Sequence, residues 1–158
     1  MTRVGIGYDL HRLDAGGKFI LGGVEIPHDK GFVAHSDGDV LAHAIIDALL
    51  GAAGLGNIGQ RFPDTDPALK GVDSMLLLAQ TMDVLRDAGW SVVNVDAVVV
   101  AERPKLNPHL EAVTRRLAEV MGMDRGLISV KPKTNEGVNA EGRGEAVSVQ
   151  AVVLLVRN

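Results

Sequence analysis

The sequence predicts an α+β fold, a two-layer sandwich of helices on one mixed β-sheet, in a single domain over residues 1–158. Three observations carry this. Strand-like and helix-like segments are mixed along the chain, in the order β, hairpin, α, α, β, α, β, β. Each helical segment shows an apolar stripe at helical spacing, so each has one side to bury. Two strand segments, within Val95 to Val100 (Val98-Val99-Val100) and Val152 to Val156, are apolar on consecutive positions, the pattern of strands buried on both faces. In a chain of 158 residues a partner subunit is one way to supply the second cover.

The elements follow in order. A short strand runs from Arg3 to Tyr8, with Val4 and Ile6 apolar. Phe19-Ile20-Leu21, Gly22-Gly23 and Val24-Glu25-Ile26 predict a hairpin. A polar loop spans His28 to Gly38. Ser36 is placed to cap a helix, with Asp39 three residues on. That helix reaches about Gly54 on the stripe Leu41, Ile45, Ala48, Leu49 and Ala52. Gly56 to Gly71 is a Gly/Pro/Asp-rich loop. A second helix starts near Asp73, shows Leu78, Met82 and Leu85, and ends at Gly89. Ser91 to Glu102 is a long strand, and Trp90 before it is a packing residue. Asn107 and Pro108 supply cap and first-turn proline to a third helix, with Leu110, Val113, Leu117 and Val120 as its stripe and Gly122 at its end. Leu127 to Lys131 is a strand, Thr134 to Glu145 a loop, and Ala146 to Val156 the last strand.

Composition narrows the chemistry. Hydrophobic residues make up 46% and aromatics only 3%, which predicts an aliphatic core. Without cysteine, any metal must be held by His, Asp or Glu, and disulfides are excluded. The net charge is −4 and the basic residues are scattered, unlike the basic stripe of a nucleic-acid binder. The opening residues do not resemble a secretory signal, and no apolar stretch approaches the roughly 18 residues of a membrane helix. The expected location is the cytoplasm. Gly5-Ile6-Gly7 lacks the third glycine and following helix of a dinucleotide site.

Asp9 and His11 lie two apart at the end of the predicted first strand, so both point to one side while Leu10 points the other way, into the core. Asp39, His43 and Asp47 recur every four residues and form one polar line on the first helix. Asp47 is placed to accept the second ring N–H of His43. Asp9, His11 and His43 together make a two-His, one-carboxylate set. That suits Zn²⁺ with an open coordination position, and also suits non-haem iron. His28 and His109 read as surface residues, and Arg115-Arg116 as a solvated helix face.

These blocks, with His35-Ser36-Asp37-Gly38-Asp39-Val40 and Phe62-Pro63-Asp64-Thr65-Asp66-Pro67, resemble the 2-C-methyl-D-erythritol 2,4-cyclodiphosphate synthase family over nearly the whole chain. The resemblance implies a ferredoxin-like variant of the sandwich, trimerising through its sheets, and a lyase of the non-mevalonate isoprenoid route that releases CMP. It implies zinc on Asp9, His11 and His43, and a second divalent ion, Mg²⁺ or Mn²⁺, on Glu136. His35 and Thr134 are implied as catalytic groups that stabilise the transition state, with His35 and Ser36 at the substrate phosphates. Asn57, Ile58, Gly59, Phe62, Pro63, Asp64, Thr65 and Asp66 correspond to loops around the methylerythritol. Ala101, Pro104, Lys105, Leu106 and Asn107 correspond to the cytidine segment. Lys133, Thr134, Asn135, Glu136 and Arg143 complete the implied binding set. The resemblance implies no nucleic-acid or membrane partner.

Two departures stand out. Asn57 occupies a position where the family usually has Asp. Thr134 to Arg143 differs from the usual Thr-Thr-Glu-Lys-Leu-Gly-Phe, and Ala140 stands where some members use Phe against a prenyl diphosphate in the trimer's central cavity. A metal-dependent phosphohydrolase using the same three ligands, and a non-catalytic ligand-binding trimer, are the alternative functions.

Overall fold

The computed structural model describes residues 1–158, the whole of the sequence. Its centre is a five-stranded sheet in the order β4-β1-β7-β5-β6, formed by β1 (Thr2–Ala15), β4 (Lys30–Phe32), β5 (Trp90–Val100), β6 (Ile128–Lys133) and β7 (Ala146–Arg157). Only β5 and β6 are parallel, so the sheet is mixed as predicted. Strands β2 (Ile20–Leu21) and β3 (Val24–Glu25) form the predicted hairpin around Gly22-Gly23.

Helices α1 (Val40–Ala53), α3 (Ser74–Asp87) and α4 (Leu110–Met121) match the three apolar stripes. The short helices α2 (Ile58–Arg61) and α5 (Asn139–Gly142) sit in stretches expected to be loops, as do a 3₁₀ turn at Pro67–Leu69 and the strand β4. The side chains of Asn57 and Asp66 explain two of these: each accepts a backbone N–H and starts a turn.

The cap of α1 is Asp39, not Ser36. Its Oδ1 accepts N–H bonds from Ala42 and Gly22, both at 3.0 Å, and its Oδ2 accepts one from Gly23 at 2.7 Å. Asp39 therefore joins the helix start to the β2–β3 turn. Burial pushes its carboxyl up to about 6, against the downward pull of those three N–H groups, and the nearby Asp37 adds to the rise. Gly54 closes the helix in the left-handed conformation, φ 72°. Asn107 is not a side-chain cap either: it opens a 3₁₀ turn that runs into α4 without any side-chain cap bond.

All residues of α1 except Asp47 and Gly51 are buried, because the helix is wedged between the sheet and α3. It lies very close to β1. A Cβ on Gly7 would overlap the Ala44 carbonyl oxygen, and one on Gly5 would stand 2.7 Å from the Ala52 Cβ. Glycine at both positions lets strand and helix backbones touch.

Strand β1 extends seven residues beyond the predicted end at Tyr8, through polar Asp9, His11 and Arg12. Pairing with β7 sustains it, in register from Thr2↔Val156 to Arg12↔Ala146. Leu10 does not enter the core. The core lies on the helix-covered side, with Gly5, Gly7, Asp9, His11 and Leu13. Val4, Ile6, Tyr8 and Leu10 face outward with 69%, 71%, 56% and 42% exposure. On β7, Val147, Val149, Ala151, Val153 and Leu155 are buried while Val152 is 42% exposed. The strands expected to be buried on both faces are thus covered on one face within a single chain, and the other face is open, apolar at Val4, Ile6, Tyr8, Leu10 and Val152 and polar at Asp96 and Gln150.

Trp90 is buried with the guanidinium carbons of Arg3 and Arg157 each 5.3 Å from its ring centre, the packing role expected of it. Arg115 and Arg116 lie on the outer face of α4, paired with Glu111 and Glu119. His28 is not a free surface residue. It is half-buried, edge-on to Phe19 with ring centres 5.8 Å apart.

A candidate metal centre in the wall of a cavity

The sheet register and the close fit of α1 bring three ligand types to one point. Asp9 and His11 leave the same face of β1. His43 reaches them from α1, beside the Ala44 carbonyl that rests on Gly7. One ligand atom from each of the three lies within 4.8 Å of the others. Asp9 Oδ2 is the focus, 2.9 Å from His11 Nε2 and 3.2 Å from His43 Nδ1.

Hydrogen bonds on the far side of His11 decide what it presents. His11 Nδ1 lies 2.9 Å from the Gly38 carbonyl oxygen, which can only accept. Nδ1 therefore carries the proton, and in the neutral ring Nε2 turns a lone pair toward the Asp9 carboxylate. Two acceptors facing each other at 2.9 Å need a proton or a cation between them.

The electrostatics agree. Burial alone would raise the Asp9 carboxyl, but hydrogen bonds and charge from His11 and His43 outweigh it and hold Asp9 well below the usual carboxylate range. Burial alone would lower His11, but the Asp9 carboxylate outweighs it and raises the imidazole. This is a carboxylate kept anionic beside an imidazole, His11, that favours its positive charge. A divalent ion is a natural substitute for that charge.

Asp47 does not touch His43 as expected. Its Oδ1 accepts the Ile58 N–H at 2.8 Å, anchoring the start of α2. The far side of His43 is held by Ser74, whose Oγ is 2.8 Å from Nε2, with Ser36 Oγ at 3.2 Å. Sequence reasoning missed Ser74. Its only signal is a serine directly after Asp73 at a helix start, too ordinary to single out.

The triad forms one wall of a cavity of about 400 Å³ that also gathers His35, Ser36, Ile58, Gly59, Phe62 and Asp64 from the predicted set. Its apolar walls come from Val33, Ala34, Leu69, Val72 and Leu77, none of them expected. His35 is fixed by a 3.0 Å contact from Nε2 to the Asp66 carbonyl oxygen. Asn57, Pro63, Thr65 and Asp66 do not line this cavity. The Asn57 side chain caps α2 in a reciprocal pair with Gln60.

A second cavity, about 520 Å³, is built from the loop after β5 and the end of β6. It gathers Ala101, Pro104, Lys105, Leu106, Asn107, Lys133 and Thr134, together with Glu102, Arg103, Pro108 and Pro132. The Arg103–Pro104 peptide in this loop is cis. Thr134 thus joins the second cavity, whereas His35 belongs to the first. The two cavities share no lining residue. Asn135, Glu136 and Arg143 line neither. Glu136 is exposed with φ 52°, and exposed Arg143 pairs with Glu145 at 2.9 Å.

Fold and site together define an α+β protein with a candidate Asp-His-His metal-binding triad, and comparison with known proteins gives that class its family. Residues 2–156 match the YgbB family, and the chain belongs to it. A relative from Chromobacterium violaceum, named 2-C-methyl-D-erythritol 2,4-cyclodiphosphate synthase, is 54% identical over 99% of each chain. One from Cupriavidus necator with the same name is 55% identical, over 98% of this chain and 92% of its own. Among solved structures, a 2C-methyl-D-erythritol-2,4-cyclodiphosphate synthase with CDP bound superposes with a TM-score of 0.90 at 42% identity, covering 98% of this chain and all of its own. The bifunctional IspDF from Campylobacter jejuni superposes with a TM-score of 0.96 at 40% identity, with this chain spanning 43% of it. The first three of these carry the synthase name, so neither the phosphohydrolase nor the non-catalytic alternative is favoured.

Proposed function

We propose that the chain converts 4-diphosphocytidyl-2-C-methyl-D-erythritol 2-phosphate to 2-C-methyl-D-erythritol 2,4-cyclodiphosphate and CMP. The observation that carries this reading is the convergence of His11 and His43 on Asp9 at the wall of a cavity, in a member of this family. A 2-phosphate oxygen attacks the β-phosphorus of the substrate's own CDP group. The bond from that phosphorus to the bridging oxygen breaks, and the oxygen leaves with CMP. The nucleophile is already anionic, so no strong base is required.

The obstacles are repulsion between phosphates and the folding-back of a long substrate. Zn²⁺ on Asp9, His11 and His43 would neutralise charge and polarise a phosphoryl oxygen. Ile58, Gly59, Phe62 and Asp64 hold the polyol end, with Asn57, Pro63, Thr65 and Asp66 shaping the loops behind them. Ala101, Pro104, Lys105, Leu106, Asn107 and Lys133 hold the nucleotide end. His35 and Ser36 meet the phosphates. His35 and Thr134 stabilise the transition state, and Glu136 would hold a second divalent ion, Mg²⁺ or Mn²⁺, to neutralise diphosphate charge, with Asn135 and Arg143 beside the phosphates. Gripping both ends can contribute roughly 7–11 kcal/mol through orientation. Substrate and products are water-soluble phosphates, and we place the reaction in the cytoplasm. No helix of the chain is long and apolar enough to cross a membrane.

We further propose a homotrimer that covers the open sheet face of Val4, Ile6, Tyr8, Leu10 and Val152. Placing one chain's metal cavity against another's nucleotide cavity would unite His35 and Thr134 in one site. A monomer by light scattering at micromolar concentration would refute this assembly.

The reaction itself is tested in ¹⁸O-labelled water. The expected products are cyclic diphosphate and CMP, both free of label. Label in either product at early times, or a linear bisphosphate as the main product, would establish hydrolysis instead.

A further inference from the structure

Ser74 is polar, fully buried and first in α3, and its surroundings fix the direction of every hydrogen bond it makes. Its hydroxyl donates to Asp37 Oδ1 at 2.5 Å. Asp37 Oδ2 accepts the Ser74 backbone N–H at 2.9 Å, and Oδ1 also accepts the Asp39 N–H at 3.1 Å. Three donors thus converge on one carboxylate, which is left with nothing to give back. A hydroxyl has a single proton. Since Asp37 takes it, Ser74 Oγ meets His43 only as an acceptor, at 2.8 Å from Nε2. Ser36 Oγ lies farther from the same nitrogen, at 3.2 Å, and accepts the Gly38 N–H itself.

We propose that Asp37 and Ser74 are positioning residues that lock the neutral ring of His43 as its Nε2–H tautomer, the 2.8 Å contact to Ser74 Oγ prevailing over the longer 3.2 Å contact from Nδ1 to Asp9 Oδ2. The Nδ1 lone pair is then presented to a cation shared with Asp9 and His11. The relay ties the loop before α1 to the first turn of α3, so it fixes ring orientation as well as tautomer. It matches His11, where a backbone carbonyl does the same work from the other side. The inference rests on the reading that the triad binds a metal, and its test separates the two.

The experiment uses the full chain with ¹⁵N-labelled imidazoles, stripped of metal, at pH 8. Long-range proton–nitrogen correlations report which nitrogen of His43 carries the proton. The expected result is a protonated Nε2 in the parent. In Ser74→Ala the tautomers mix, and in Asp37→Asn the freed serine proton turns to Nε2 and the population moves toward Nδ1–H. Asp47→Asn, on the same helix but bonded to Ile58, leaves the His43 signals in place. Zinc dissociation constants, measured by chelator competition, rise about tenfold to a hundredfold in Ser74→Ala and Asp37→Asn, the usual cost of losing a ligand's orienting partner.

A parent His43 protonated on Nδ1 would overturn the relay, and it needs no variant to fold. So would a Ser74→Ala protein with an unchanged His43 spectrum and zinc affinity within threefold of the parent. A parent with Nε2–H that fails to bind zinc would leave the relay standing and remove the metal reading.

Discussion

Gly7→Ala tests how the metal centre is built. The Gly7 backbone faces the Ala44 carbonyl, one residue from His43, and itself lies two residues before Asp9. An alanine Cβ would overlap that carbonyl oxygen and sit 2.8 Å from Ala48 N. Heavy atoms pack favourably only from about 3.5 Å, so the second contact alone asks α1 to retreat by roughly 0.7 Å, and the overlap asks for more. Neither partner is the end of a flexible side chain, so the strain falls on two core elements. Overpacking of this kind typically costs about 1–3 kcal/mol, and here the upper end or beyond is expected. The displaced His43 should also lower zinc affinity by on the order of tenfold. Gly51→Ala is the matched control. A Cβ there meets nothing within 4 Å, and the helix should gain about 1 kcal/mol from losing a glycine. Urea unfolding at one fixed protein concentration, with elemental analysis of the folded protein, measures both. A Gly7→Ala protein within about 0.5 kcal/mol of the parent and with full zinc content would refute the argument, since surface changes already vary by that much.

Other outcomes follow from the same geometry. His43→Ala should lose zinc from elemental analysis while retaining its fold, and full zinc content in that variant would reject the triad. Asn57→Asp keeps an acceptor for the Gln60 N–H, so stability should hold and KM should change less than about tenfold, or about 1.4 kcal/mol; a hundredfold change in kinetics would show that this chain reads its substrate differently. The metal-stripped chain should have a window of maximal Tm. Asp9, held low when folded, contributes stability above its unfolded value of about 3.9 and loses it as pH falls further; His11, raised when folded, contributes below about 6.5 and loses it as pH rises through its folded value. Melting curves of the stripped protein should therefore decline on both sides of about pH 4–6.5, and saturating zinc should remove the alkaline decline. A Tm that rises steadily from neutral to alkaline pH without metal would contradict the pairing.

Much of this was readable from periodicity. The stripes on α1, α3 and α4 are strong enough to survive any tertiary context, and a polar line on an otherwise apolar α1 marks His43 as unusual. The i, i+2 spacing of Asp9 and His11 puts them on one face wherever the strand ends. What periodicity cannot say is which face of β1 the helices cover. Val4, Ile6 and Leu10 look like the core side, yet the glycines are, because close contact with α1 requires the absence of a side chain. Local spacing also misassigned hydrogen-bond partners. Asp47 is the nearest acceptor to His43 along its own helix, but the ring points instead toward Ser74, 31 residues away. Ser36 lost the capping role to Asp39 because a carboxylate can serve the helix and the Gly22-Gly23 turn together. The division of the site residues between two cavities is a matter of tertiary distance and leaves no trace in residue order.

Because the two cavities share no lining residue, their defects are separable, and this predicts complementation. A chain damaged in the metal cavity keeps a sound nucleotide cavity, and a chain damaged in the other keeps a sound metal centre. If each working site spans two chains, co-refolding two such inactive proteins would reunite the sound halves at some junctions of every mixed assembly. Activity would then reappear from two dead parents in a proportion set by their mixing ratio.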